Sequence, residues 1–183
     1  MNHWAVLKAD LNRTYFYARG NRLSKILQCA RTPGVHAVLV LRFGQWARSM
    51  PILLRLVLDP IYFVLNLILQ MAWGIEIPRA TVVGPGLFIG HFGGITVSAS
   101  AVLGNNCSIS QNVTIGLAGS GDRLGVPVIG DDVYIAPGAR LFGKITIGNN
   151  VKIGANAVVY KDVPDNSVAV LDPGFRILPS DDS

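Results

Sequence analysis

From Ile129 to Val159 the chain reads IGDDVYIAPGARLFGKITIGNNVKIGANAVV, with a branched aliphatic at every sixth position: Ile129, Ile135, Leu141, Ile147, Ile153 and Val159. The same beat runs upstream through Val97, Leu103, Ile109 and Ile115, and before that through Ile77, Val83 and Ile89. The residue after each aliphatic is usually small, as at Gly84, Gly104, Ala136 and Gly154. An amphipathic helix repeats every 3.6 residues and a half-buried strand every two, so neither produces this pattern. A triangular coil does. Each six-residue unit is a short strand and a turn, and three units close one rung. The aliphatic points inward, and the next residue is small because the chain bends there. Rungs stack about 4.8 Å apart as parallel strands, and the units present make a little over four rungs.

A solenoid that breaks its period has a use for the break. The first slip lies between Ile89 and Val97, which are eight residues apart, and it carries His91 among Gly90, Gly93 and Gly94. The second separates Ile115 from Ile129 by 14 residues, read as two units plus two residues. It contains GLAGSGDRLGVPV (116–128), expected to leave the coil as an extruded loop. His91 is the only histidine in the repeat region, and the glycines beside it leave room for a ligand.

Composition narrows the function classes. Half of the 183 residues are hydrophobic and mean hydropathy is +0.42, which excludes a disordered chain. Residues 1–60 carry nine Lys/Arg against two acids, whereas 61–183 carry seven against nine. The basic third suggests an anionic partner. It lacks interleaved aromatic platforms and any nucleic-acid reading motif, so a nucleic-acid partner is not expected. Cys29 and Cys107 form no disulfide framework, and no signal peptide opens the chain, so a reducing cytoplasm is expected. No metal is expected either: the zinc of a hexapeptide-coil carbonic anhydrase needs three histidines.

The segment from Met50 to Trp73 is nearly long enough to cross a bilayer, but Arg55, Asp59 and Pro60 interrupt it. It reads as a helix from Pro60, with Asp59 as N-cap, ending near Gly74. Its apolar residues lie all round, so it requires cover: protein, a partner subunit, or the inner face of the cytoplasmic membrane. The chain thus divides into a helical region, 1–74, and a coil with a C-terminal tail, 75–183.

The run from Gly74 to Gly116, with its GLFIGH segment, and the later IGDDVYIAPGARLFGKITIGNNVKIGANAVVYKDVPDNS resemble serine acetyltransferases and their polysaccharide-modifying relatives. LKADLNR and TPGVHAVLVLRFGQWA extend the likeness upstream. The resemblance implies an α+β chain, a helical N-terminal segment before a left-handed parallel β-helix, assembled as a homotrimer. It implies acetyl-CoA as co-substrate and His91 as general base. An alcohol is a poor nucleophile at neutral pH, and an imidazole can take its proton as the C–O bond forms, which typically contributes 10²–10⁴-fold. The resemblance also places coenzyme A beside Ala136 and Gly154, with Lys161 and Arg176 as phosphate partners. Alignment position and loop placement offer Asp10, Asn112 and Arg123 as acceptor contacts, a solvated surface role standing equally open for each.

The chain departs from the serine enzymes at the positions that would hold an ammonium group. Gly90 stands where they have aspartate, Val126 where they have a second histidine, Ala99 where they have glutamate, and ARGNRLSK (18–25) is basic where they are acidic. These departures favour the exopolysaccharide and capsule O-acetyltransferases of the colanic acid type. The expected acceptor is therefore a sugar hydroxyl, polymeric or lipid-linked, with serine as the alternative.

Overall fold

The computed structural model describes residues 2–171. In it all thirteen positions of the six-residue beat are buried and line a single core. Strands of two or three residues form three parallel sheets, one per face of the prism. The first face stacks β1 (Ile75–Glu76), β4 (Ile95–Val97), β7 (Thr114–Gly116), β10 (Arg140–Phe142) and β13 (Val158–Val159). The second stacks β2 (Val82–Val83), β5 (Val102–Leu103), β8 (Val128–Ile129) and β11 (Thr146–Ile147). The third stacks β3 (Phe88–Ile89), β6 (Ser108–Ile109), β9 (Tyr134–Ile135), β12 (Lys152–Ile153) and β14 (Val168–Ala169). Aliphatics pair directly above one another, as in Val97 with Ile115 and Ile109 with Ile135.

The corners are built from asparagine and aspartate. Asn106, Asn112, Asp132, Asn150, Asn156 and Asn166 all have φ between 53° and 58°, the left-handed region that these two residue types tolerate best. At one corner their neighbours form a ladder. Asp131 Oδ1 accepts from the amide of Asn105 (2.7 Å), Asn149 Oδ1 from that of Asp131 (2.8 Å), and Asp165 Oδ1 from that of Asn149 (2.7 Å). Turn amides that no strand could satisfy are thus paired rung to rung.

Four helices precede the coil: α1 (His3–Tyr17), α2 (Arg22–Arg31), α3 (Pro33–Arg48) and α4 (Ile52–Trp73). Helix α3 packs against the first rung so closely that a Cβ on Gly34 would stand 2.0 Å from the Ile89 carbonyl oxygen. The main tie is ionic. Asp10 of α1 and Arg42 of α3 are 1% and 4% exposed, and Arg42 Nε donates to Asp10 Oδ2 at 2.8 Å. Asp10 Oδ1 also accepts from the amides of Gly86 (2.7 Å) and Leu87 (2.8 Å), and Arg42 donates to the carbonyls of Val83 (2.8 Å) and Gly84 (2.6 Å).

Helix α4 differs from the sequence reading. It begins at Ile52, with Pro51 at the N-cap position, and Pro60 lies inside it. Asp59 caps nothing, because it pairs with Arg55 one turn earlier and with Arg79 at the start of the coil. Pro60 forgoes one backbone hydrogen bond of the helix, and Asp59 beside it is tied to Arg55 and Arg79. Its end follows expectation: Gly74, at φ 59°, takes the left-handed cap and turns the chain into β1.

Candidate active site

His91 occupies the corner between the third and first faces, immediately after β3. Two extra residues stand there, so the corner bulges away from the coil. Gly93 and Gly94 have φ of 100° and 66°, and Gly93 accepts at its carbonyl from the amide of Asn112 (2.8 Å) on the next rung. Phe92 packs edge-on against Trp73 of α4, with ring centroids 5.2 Å apart, which holds the bulge from the helical side. The His91 imidazole is exposed, and among the described residues no side chain or backbone group hydrogen-bonds to it.

Below His91 the same corner repeats at Gln111–Asn112, Pro137–Gly138 and Ala155–Asn156. Asn112, Pro137, Gly138, Ala155 and Asn156 of these corners, with Gly94, Thr114 and Arg140, line a polar groove of about 410 Å³ that begins at Gly94 in the His91 bulge. Ala136 and Gly154 precede the groove residues Pro137 and Ala155 on their rungs. Asn112 is in the groove wall, and its left-handed φ of 58° also makes it a turn residue of the repeat.

The remaining candidates are elsewhere. Lys161 follows β13 at the opposite edge of the first face, exposed, with its ammonium 5.6 Å from the Tyr160 ring centroid. Arg176 falls outside the described residues. Arg123 is exposed at the tip of the extruded loop, in a single 3-10 turn Gly121–Arg123. Asp10 touches no groove: its carboxylate is enclosed by Arg42 and two amides, and its place is in the joint between α1, α3 and the coil.

The extruded loop is longer than the two-residue excess the sequence suggested. Ile115 and Ile129 belong to adjacent faces, so one corner holds eight extra residues; no second unit lies between them. The excess forms a hairpin in which Ala118 and Gly125 exchange hydrogen bonds of 3.1 Å each way. It leaves the prism at the corner between the first and second faces, so a single chain keeps His91 and the hairpin on different edges.

Two residues escaped the sequence reading, Glu76 and Arg140. Both face outward on the first face, Glu76 in register with Thr96, and Arg140 with Thr114 and Val158. Glu76 is the acidic position of this strand column, two residues from Gly74, whose carbonyl accepts from Ile95 at the foot of the His91 bulge (3.0 Å). Glu76 and His91 are 15 residues apart in sequence, Glu76 on the first face and His91 at the corner that opens it.

The stacked six-residue coil with its groove and hairpin is the architecture of the hexapeptide-repeat transferases, and residues 127–161 match the family model for the bacterial transferase hexapeptide (six repeats). The serine acetyltransferase of Helicobacter pylori is 36% identical over 141 residues, covering 75% of this chain and 77% of that protein. The chain belongs to the serine acetyltransferase family. Another similar relative is the serine acetyltransferase of Bacillus pumilus, 40% identical over 64% of this chain and 56% of its own length. Among solved structures, the serine acetyltransferase of Neisseria gonorrhoeae in complex with serine superposes with a TM-score of 0.73 at 34% identity, over 91% of this chain and 65% of that one. The chain spans little more than half the length of several curated relatives it matches.

These relatives overturn the expectation of a sugar acceptor and of the colanic acid type of exopolysaccharide or capsule enzyme, because they carry the name serine acetyltransferase. Gly90 and Ala99 lie at the two corners that bound the first face, and the carboxylate exposed on that face is Glu76.

Proposed function

We propose that this chain is an acetyl-CoA-dependent serine O-acetyltransferase of cysteine biosynthesis, with His91 as its general base. The observation that carries this reading is an exposed imidazole, without a hydrogen bond to any described residue, on the inserted corner whose Gly94 opens the groove along the coil. The serine hydroxyl gives its proton to His91 as its oxygen attacks the thioester carbonyl. The tetrahedral intermediate then collapses, breaking the C–S bond, and the imidazolium returns the proton to the departing thiolate of coenzyme A. Glu76, on the face that adjoins His91, is the carboxylate suited to orient the ring or to meet the serine ammonium group.

Coenzyme A fits along the groove, its pantetheine arm beside the small residues Ala136 and Gly154 and its phosphates toward Arg140 in the groove wall. The hairpin carrying Arg123 completes the site from a second copy, since within one chain it leaves from another edge; a homotrimer of prisms satisfies this. Asn112 then stands in the acceptor region. The setting proposed is the cytoplasm, where both thiols stay reduced.

The test is thiol release from acetyl-CoA with and without L-serine. Serine-dependent release with O-acetylserine as product is expected; release that serine does not raise above hydrolysis would refute the assignment.

A further inference from the structure

Helix α4 is amphipathic in the reverse sense. Its 22 residues divide into two sets. Arg55, Leu58, Asp59, Tyr62, Asn66, Leu69, Gln70 and Trp73 recur at spacings of three and four and are partly or fully covered. This stripe holds every charged or amide side chain of the helix, and it faces the rest of the molecule: Asp59 pairs with Arg79, and the Tyr62 hydroxyl accepts from the Arg79 amide at 3.1 Å. The other 14 positions are exposed, and each is apolar. Leu53, Leu56, Phe63 and Met71 are between 67% and 80% exposed. A water-facing helix surface has the opposite composition.

The surroundings share a sign. Among residues 2–58 the one acidic side chain is Asp10, which is buried against Arg42. Lys8, Arg22, Arg31 and Arg48 are exposed on these helices, and Arg19 is exposed between α1 and α2. Helix α2 has no buried residue; Leu23, Ile26, Leu27 and Ala30 form its apolar stripe between Arg22, Lys25 and Arg31. Beside α4 an apolar groove of about 870 Å³ opens between Trp4, Leu39, Phe43, Trp46 and Leu65. Tryptophans at the rim of an apolar surface suit the headgroup boundary of a bilayer.

We propose that the α2–α4 face binds an anionic phospholipid membrane, with α4 lying in the plane of the interface. Helix α4 is long and apolar enough to cross a membrane, but its contacts with α3 and β1 and the ties of Asp59 and Tyr62 to Arg79 favour the in-plane placement. A second copy of the chain is disfavoured, because self-association through this face would bring like charges together and one flat contact could not cover 14 positions around a helix. Fluid acyl chains and anionic headgroups satisfy both requirements.

The test is sedimentation of the full chain with phosphatidylcholine vesicles, with or without about one-third phosphatidylglycerol, beside light-scattering mass measurement without lipid. The expected result is binding to the anionic vesicles that weakens with salt and falls at least about tenfold in Leu53→Glu/Val64→Glu. Both side chains are exposed, so circular dichroism should be unchanged. Arg22→Glu/Lys25→Glu should weaken binding to anionic vesicles selectively. The proposal is overturned if the wild-type chain stays in the supernatant with anionic vesicles, if Leu53→Glu/Val64→Glu sediments equally well, or if that variant merely dissociates a lipid-free oligomer.

Discussion

Replacing Asp10 by alanine should separate the helices from the coil. The substitution leaves Arg42, 4% exposed, without its counter-charge and strips an acceptor from the Gly86 and Leu87 amides. Breaking a buried pair from one side costs about 3–5 kcal/mol, and an unsatisfied buried donor about 1–3 kcal/mol. These share one network and do not add, so a loss of about 3–5 kcal/mol is the working figure. Against a typical total of 5–15 kcal/mol, that is enough to melt α1 and α3 away from the first rung well before the coil. Urea unfolding followed by far-ultraviolet circular dichroism should show an early helical transition. The double variant Asp10→Ala/Arg42→Met, which also removes the stranded charge, should recover part of the loss. A single-variant cost below about 1 kcal/mol, or a double variant no better than the single, would refute the assignment of this pair as the joint.

Gly90→Asp should raise kcat/KM for serine by about 10–100-fold, the worth of one charged hydrogen bond, once the Phe88 ring yields from 3.1 Å of the new Cβ; steady-state kinetics on serine checks it. Burial pushes the Cys107 thiol up to about 11, so in native protein at pH 8 a disulfide reagent should label Cys29 and leave Cys107 until unfolding. Hydrogen bonds from the Asn105 amide and side chain hold Asp131 below the usual carboxylate range. Its contribution to stability is therefore present above the unfolded value near 4 and lost as pH falls through the folded one; thermal melts in acid should show a smaller pH dependence for Asp131→Asn. Ile135→Ala, at a fully buried rung position, should cost about 2–5 kcal/mol in urea unfolding.

The coil was legible because its core imposes one chemical demand at fixed intervals: Ile109, Ile135 and Ile153 are far apart in sequence yet stack in one column. A second signal went unread. The pairs Asn105–Asn106, Asp131–Asp132, Asn149–Asn150 and Asp165–Asn166 mark a single corner, and would have shown that Ile115 and Ile129 are one step apart. The break at His91 was equally visible, since an insertion into a strict repeat stands out. Contacts across rungs were not. Glu76 and Arg140 have no motif of their own, and Asp10, offered as an acceptor contact or a solvated acid, is tied to Arg42, 32 residues away, which the sequence does not show. The acceptor expectation rests on residues lost along the chain, Gly90 and Ala99 among them, and it is the relatives that overturn it.

The central claim is that one imidazole takes the proton from serine. Its most direct measurement is kcat for serine-dependent release of coenzyme A by the wild-type chain and by His91→Asn, which keeps a polar side chain of similar size. A fall in kcat of about 10²–10⁴-fold with KM for acetyl-CoA nearly unchanged is predicted. A variant that turns over at the wild-type rate would contradict it.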